Sequence, residues 1–308
     1  MSMASASIAN RPAGASARER AQARAGAAFA VPAFLLILAL LIAPLAALVA
    51  LSVTDYRLGA VAVRLIGIEH YQALFADEVF RRSLRNTFLY VALVLPGAVF
   101  GGLGVALLIH ARTASRTFYE IAYFLPVTAT LVAMATVWQF MLHPSLGPVS
   151  SLLGWLGLGK VDLLNDPSLA LATLAMIGLW QIIGFNMVLF LAGLSAIPRE
   201  LYEAAALDGA QSGPDRFLRV TWPMLGPTTM FVTITSTITA FKVFDTVVVL
   251  TRGGPLGSTE TLLYVLYLEG FQYFKTGYAA AMTVVLLAFL VLLSLVQARV
   301  IDRRVHYT

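Results

Sequence analysis

An all-α polytopic membrane protein, with six transmembrane helices and a cytoplasmic helical hairpin between the fourth and fifth, is the fold class this sequence predicts. Three observations predict it. The 308 residues are 59% hydrophobic and 12% charged, with a mean hydropathy of +0.82, far from the composition of soluble domains. Six apolar runs can each cross a hydrocarbon core, which takes about 20 helical residues, and a helix is the open spanning structure that satisfies its own backbone. Between the last two pairs of runs, the polar stretch 195–223 carries proline and glycine at helix-start and helix-stop positions.

Residues 1–28 are rich in Ala, Ser and Arg without an apolar period, and are expected to form a flexible basic cytoplasmic tail. The run 29–52 exceeds a signal-peptide core of roughly 7–15 residues and reads as a retained first helix. Further spans are expected at 86–110, 119–142, 168–194, 224–250 and 277–298, giving a membrane domain over 29–301 and a short cytoplasmic tail at 302–308. With both termini, 111–118 and 195–223 inside, twelve arginines gather there against seven acids, Glu120 at the edge of the third span included, as the positive-inside rule requires. Outside, short surface helices are expected near 71–82 and 262–274, and Asp166 with Pro167 should cap the fourth span.

The hairpin is legible residue by residue. Pro198 suits a first helical position, Glu200 and Glu203 place negative charge where the helix dipole favours it, and Gly209 should stop the helix. After Gly213, Pro214 can start a second helix with Phe217, Leu218, Thr221 and Trp222 on one side and Arg216 and Arg219 on another, until Pro223 interrupts. Ala204, Ala205 and Ala206 would let a partner come close to the backbone, with Glu203 as the charged handle. An amphipathic hairpin lying on the membrane surface is the competing reading.

Several chemistries are excluded. The chain has no cysteine, hence no disulfide, thiolate site or cysteine nucleophile. Gly154, Gly159 and Lys160 have phosphate-loop spacing, but Val161 replaces the required Ser or Thr and no strand precedes them. His70, His110, His143 and His306 lie apart, without metal-ligand spacing or a nucleophile nearby, so neither a metal site nor an enzyme is expected. Gly97 and Gly101 form a GxxxG pair read as close helix packing.

In the fifth span, Lys242 and Asp245 stand three residues apart, expected on one helix face. Charges inside a membrane cost about 2.5–3.5 kcal/mol on insertion scales and usually face a bundle interior or an aqueous path. Snorkelling to the outer interface is the alternative. Phe241 and Phe244 flank the pair, and aromatic faces beside polar groups suit sugar stacking as well as helix packing.

GLSAIPRELYEAAALDGAQSGPDRFLRVTWP, residues 193–223, closely resembles the EAA loop of permease subunits of bacterial ATP-binding cassette (ABC) importers. AFKVFDTVVVLTRGGP, residues 240–255, is similar to the following segment of carbohydrate importers of the maltose and glycerol-phosphate type. Two departures stand out: the interval from Gly209 to Val220 is one residue longer than the usual pattern, and Arg252 stands where glycine is common. The resemblance implies a bacterial inner-membrane permease of a binding-protein-dependent system. Glu203, Ala204, Ala205, Asp208, Gly209 and Pro223 would contact the ATPase. Two ATPase subunits holding ATP and magnesium, a second similar permease and an external solute-binding protein would be its partners, with no cofactor in this chain. Lys242, Asp245, Phe241, Phe244 and Asn186 are its expected substrate-pathway residues. Carbohydrate or polyol is the expected solute. Polyamines or phosphate esters are the alternative, followed by a stand-alone secondary transporter, against which the sequence shows no inverted repeat or Gly/Pro-broken helix pair.

Overall fold

The computed structural model describes residues 17–112, 114–157, 161–210 and 212–302. These form two compact units, one up to Ala50 and one from Leu51 on. Among the described residues the structure is helical, with a single isolated bridge between Thr54 and Leu65.

In the first unit a helix runs over Ala17–Ile37, passes through a π turn at Leu38–Ile42, and resumes at Ala43–Ser52, which crosses into the second unit. Helix therefore begins within the segment expected as a flexible tail, because ARERAQARAGAA is composed mostly of strong helix formers. Residues 1–16 of that tail lie outside the described residues. Two residues after the π turn comes Pro44. The wider turn relieves the clash and missing hydrogen bond that proline brings to an α-helix.

The second unit is organised around Glu78–His110, which packs along Ala170–Ser195 and also meets Gly226–Phe241. Asp77 caps it by accepting from the Val79 N–H at 2.8 Å, so this helix starts eight residues before the apolar run at 86. The expected close packing is present. A Cβ on Gly97 would lie 2.9 Å from Leu179, one on Gly101 2.9 Å from Ile183, and one on Gly102 2.6 Å from the Asn186 Cβ. On the opposing helix, a Cβ on Gly184 would fall onto the carbonyl oxygen of Tyr123. Gly184→Val should therefore cost at least the roughly 1–3 kcal/mol typical of overpacking. Gly104→Val should be tolerated, since nothing lies within 4 Å there. Thermal unfolding of the two purified variants in detergent checks the contrast.

Two expected spans are not continuous. The third, 119–142, is a pair of helices, Arg116–Thr128 and Leu131–Met141, bent by 100°. Pro126 removes one backbone bond just before Ala129 and Thr130 turn extended, with ψ of 143° and 136°. The fifth, 224–250, stops at Phe241 and resumes at Asp245, leaving Lys242–Phe244 out of the helix. Thr261 reaches into that break and donates its hydroxyl to the Val243 carbonyl at 3.2 Å. Among the described residues, four helices have the length and apolarity to cross a membrane, or five if the bent pair counts as one. The absence of broken helices, used above against a secondary transporter, does not hold.

Other elements shift slightly. The surface helix near 71–82 is Glu69–Ala76, the outer one is Leu262–Tyr267 extended by a π turn to Gln272, and Pro148–Trp155 is a further short helix. Gly154 lies in that helix, while Gly159 and Lys160 lie outside the described residues. Asp166 accepts from the Ser168 N–H and hydroxyl in a turn that precedes Ala170, instead of capping the helix itself. Those bonds, the hydroxyl's first, hold its carboxyl below the usual carboxylate range.

Two buried clusters stabilise the unit. One joins Phe80, Val94, Leu174, Phe241, Leu262 and Met282. The other, nearer the hairpin, joins Val99, Met187, Phe190, Leu194, Ile197, Val220 and Leu225.

Candidate functional site

The hairpin opens at Pro198, which is extended (φ −60°, ψ 138°) and caps the helix Arg199–Leu207 from one position before the one expected. Gly209 sits at φ +88°, a left-handed conformation that costs glycine little, and the Ala210 N–H returns to the Ala205 carbonyl at 2.8 Å. Ser212 then accepts from the Asp215 N–H and starts the second arm at Gly213, with Pro214 in its first turn. Tyr202 and Thr221 share a hydroxyl hydrogen bond of 3.0 Å that ties the arms together.

The second arm differs from expectation. It continues from Gly213–Arg216 through a π turn at Phe217–Thr221 to Met224, so Pro223 lies within it instead of interrupting it. A π turn takes up one extra residue in a helix, the number by which the interval from Gly209 to Val220 exceeds the familiar pattern. The turn also rotates the side chains that follow. Val220, Thr221 and Leu225 are buried and Phe217 is half-buried, while Leu218 and Trp222 point outward at 63% and 38% exposure. The predicted apolar side is thus divided.

Among the docking residues read from sequence, Glu203, Ala204, Asp208, Gly209 and Pro223 are exposed, and Ala205 turns half inward against the second cluster. Leu207, 90% exposed, joins them. Its signal was available, as a leucine two residues before the glycine that stops the helix.

Beyond the hairpin, two adjoining cavities of about 190 and 230 Å³ share Gln181, Ile182 and Thr239, and together form a groove along Ala170–Ser195 and Gly226–Phe241. Lys242, Phe244 and Asp245 line its far part, with Thr246 beside them. Lys242 and Asp245 do not share one helix face: Lys242 ends one helix and Asp245 starts the next turn. No ion pair within 4.0 Å joins them among the described residues. The Thr246 hydroxyl is buried without a hydrogen-bond partner.

Asn186 borders the nearer part, buried, with its amide donating to the Ala98 carbonyl and the Ser236 hydroxyl, both at 2.9 Å. Phe241 faces away from the groove, with its ring packed edge-on against Phe88 and tilted against Phe289. Phe244 packs edge-on against Tyr267 at 5.2 Å. Gln181, Thr235 and Thr239 were not singled out from sequence, although a run of hydroxyl residues in an apolar span, TITSTIT, was the available signal.

The loop after the groove is locked to the start of Glu78–His110. Arg82 pairs with Glu260 at 2.6 Å, the Asn86 amide donates to the Gly257 and Glu260 carbonyls, and the Leu262 N–H donates to Thr87. Arg252 ends the preceding π turn at φ +50° and ψ 39°. Its carbonyl accepts from the Tyr264 hydroxyl at 2.8 Å, and burial, then the Glu260 charge, pushes that phenol up, so it remains a donor. A left-handed arginine costs about 1–2 kcal/mol. Arg252→Gly should accordingly raise thermal stability by about 1 kcal/mol, after the entropy that glycine loses on folding. An unchanged or lowered Tm would show that the side chain contributes more than its backbone costs.

Residues 103–307 match the family described as binding-protein-dependent transport system inner membrane component. The chain is 34% identical over 245 residues, 79% of its length and 82% of the other's, to the sn-glycerol-3-phosphate transport system permease protein UgpA of Agrobacterium fabrum. It is 33% identical over 271 residues, 88% of each chain, to the sulfoquinovosyl glycerol transport system permease protein SmoG of the same organism. Its fold is similar, at a TM-score of 0.80 and 23% identity over 93% of this chain and 98% of the other, to a chain in the crystal structure of a bacterial ABC transporter involved in the import of the acidic polysaccharide alginate.

Proposed function

This chain belongs to the family of binding-protein-dependent transport system inner membrane components, and from that premise we propose that it is the permease subunit of an ATP-driven carbohydrate importer. As a permease it is a transport subunit and not an enzyme. It forms half of the pathway, with a second similar permease forming the other half. Two ATPase subunits, one of them docked on this hairpin, hold ATP and magnesium, and an external binding protein delivers the solute. Counting the bent pair as one span and Gly226–Phe241 with its continuation to Thr251 as another supports six crossings, which put both termini on one side, and the arginine excess supports the cytoplasm as that side.

The observation that carries this reading is continuity. Only Leu225 separates the hairpin's last helical residue, Met224, from Gly226–Phe241, whose far half lines the groove. A displacement at the hairpin therefore reaches the groove through one rigid element. The solute class is supported by the groove's walls, where Gln181, Thr235 and Thr239 offer donors and acceptors to hydroxyl groups and Phe185 and Phe244 offer apolar faces. Of the relatives' named solutes, sulfoquinovosyl glycerol belongs to the same class, and glycerol 3-phosphate is a polyol that is also a phosphate ester. Lys242 keeps a phosphate ester as the second solute to test.

Proteoliposomes containing this chain with its partner permease, ATPase pair and binding protein should take up sugar or polyol only when ATP is supplied inside. Uptake by the chain alone, driven by an ion gradient, would overturn the proposal.

A further inference from the structure

At the end of the bundle away from the hairpin lies a third cavity, of about 190 Å³, lined by charged side chains together with Tyr56, His70 and Tyr278. Two cations, Arg57 and Lys275, face two carboxylates, Asp55 and Asp77, so the formal charges cancel. Some of these groups are already engaged. Asp77 accepts from the Val79 N–H at 2.8 Å and from the Tyr278 hydroxyl at 2.7 Å, and Lys275 pairs with Glu269 at 2.9 Å. Others remain open. The Arg57 guanidinium has no partner among the described residues, and Asp55 uses only one oxygen, which accepts from the Arg64 N–H at 2.7 Å.

The depth of the cavity follows from the span that begins just after Lys275. Asp55–Arg57 follow shortly after the candidate span Ala28–Ser52, and Lys275 immediately precedes Thr276–Val300. From Lys275 to Arg299, at the far end of that helix, the rise is about 36 Å at 1.5 Å per residue. A bilayer's hydrocarbon core is about 30 Å thick and its full width with headgroups about 40–45 Å. Both charges thus reach the headgroup layers. Tyr56 and Tyr278, also at the cavity, match the aromatic belt of that depth.

A ligand for this cavity must sit at headgroup level and carry both signs of charge, because Lys275 and Asp77 are already engaged and the groups left open are one of each sign, Arg57 and Asp55. Arg57 suits a phosphodiester, through forked N–H donors. The open Asp55 oxygen suits a cation that donates hydrogen bonds, as a primary ammonium does and a quaternary one cannot. We infer that this cavity binds the phosphoethanolamine headgroup of a membrane lipid. The site lies apart from the groove and is independent of the solute carried.

The test is native mass spectrometry of the full-length chain, released from nanodiscs of equimolar phosphatidylethanolamine, phosphatidylglycerol and phosphatidylcholine. One phosphatidylethanolamine should be retained in preference to the other two lipids. Arg57→Ala and Asp55→Asn should each reduce that retention by about tenfold, the scale of one hydrogen bond to a charged group. Asp55→Asn keeps the side chain's size and decides alone if the arginine variant does not fold. Equal retention of phosphatidylglycerol or phosphatidylcholine, or undiminished retention in the folded variants, would overturn the inference.

Discussion

Glu203→Arg is expected to abolish solute-stimulated ATP hydrolysis and uptake while leaving the chain inserted in the membrane. Glu203 is exposed on the hairpin's first arm and has no ion pair among the described residues, so its reversal removes no contact that holds this chain together. Its neighbours Ala204 and Gly209 present little side chain, and Leu207 projects beside them. A surface of that kind brings a charge and a leucine against a partner at short range. Disrupting one member of a buried interfacial charge pair costs about 2–5 kcal/mol, and about 1.4 kcal/mol is tenfold in affinity. Capture of the ATPase subunits should therefore fall by roughly 30-fold or more. Glu203→Gln, which keeps the shape, should fall less. Normal hydrolysis and uptake by the arginine variant in proteoliposomes would refute the docking role.

Lys242→Met should raise the KM for uptake without lowering the amount of protein in the membrane. The ammonium lines the groove, has no carboxylate within 4.0 Å among the described residues, and ends a helix whose core lies on the other side, around Phe241. Removing a charge from an apolar span relieves an insertion penalty of about 2.5–3.5 kcal/mol, so the variant should be at least as stable as the parent. If the ammonium donates to the solute, its loss costs about 1.5–3 kcal/mol, roughly 10- to 150-fold in affinity. Initial uptake rates across a range of solute concentrations give the answer. Unchanged KM and maximal rate would mean that Lys242 extends to the interface.

The hairpin was legible in the sequence because its punctuation is local. A proline beside a helix start and a glycine at positive φ act within a few residues, and both did so at Pro198 and Gly209. The second arm was only half legible. Its composition shows a helix, but the π turn at Phe217–Thr221 decides which side chains turn inward, and a period of 3.6 does not contain it. The break at 128–131 had a local signal in Pro126, which the apolar run around it masked, and the break at 242–244 had none. They interrupt continuous apolar runs, and the second is held open by a threonine eighteen residues further on. Long-range hydrogen bonding leaves no mark on local periodicity.

The groove shows the same division. Lys242 and Asp245 stood out as charges within an apolar run, whereas Gln181 and Thr239 did not, since such residues often serve only to pack helices. Phe241 was misleading for a related reason. Adjacency to Lys242 in the chain placed it with the lysine, but the helix ends between them and their side chains part.

The interruption at Lys242–Phe244 turns the helix before it into a lever whose far end, at Phe241, carries its core contacts with Phe88 and Phe289. The hairpin holds one end of Gly226–Phe241, and the segment after the break is anchored through Thr261 and through the loop that Arg82 and Asn86 grip. Sixteen residues make an arm of about 24 Å, so a tilt of about 10° at the hairpin sweeps the Lys242 end through about 4 Å. A water molecule is narrower than that stroke. If the hairpin rotates, the half of the segment joined to it can tilt while the half beyond the break stays moored, and a few degrees are enough to change the width of the groove.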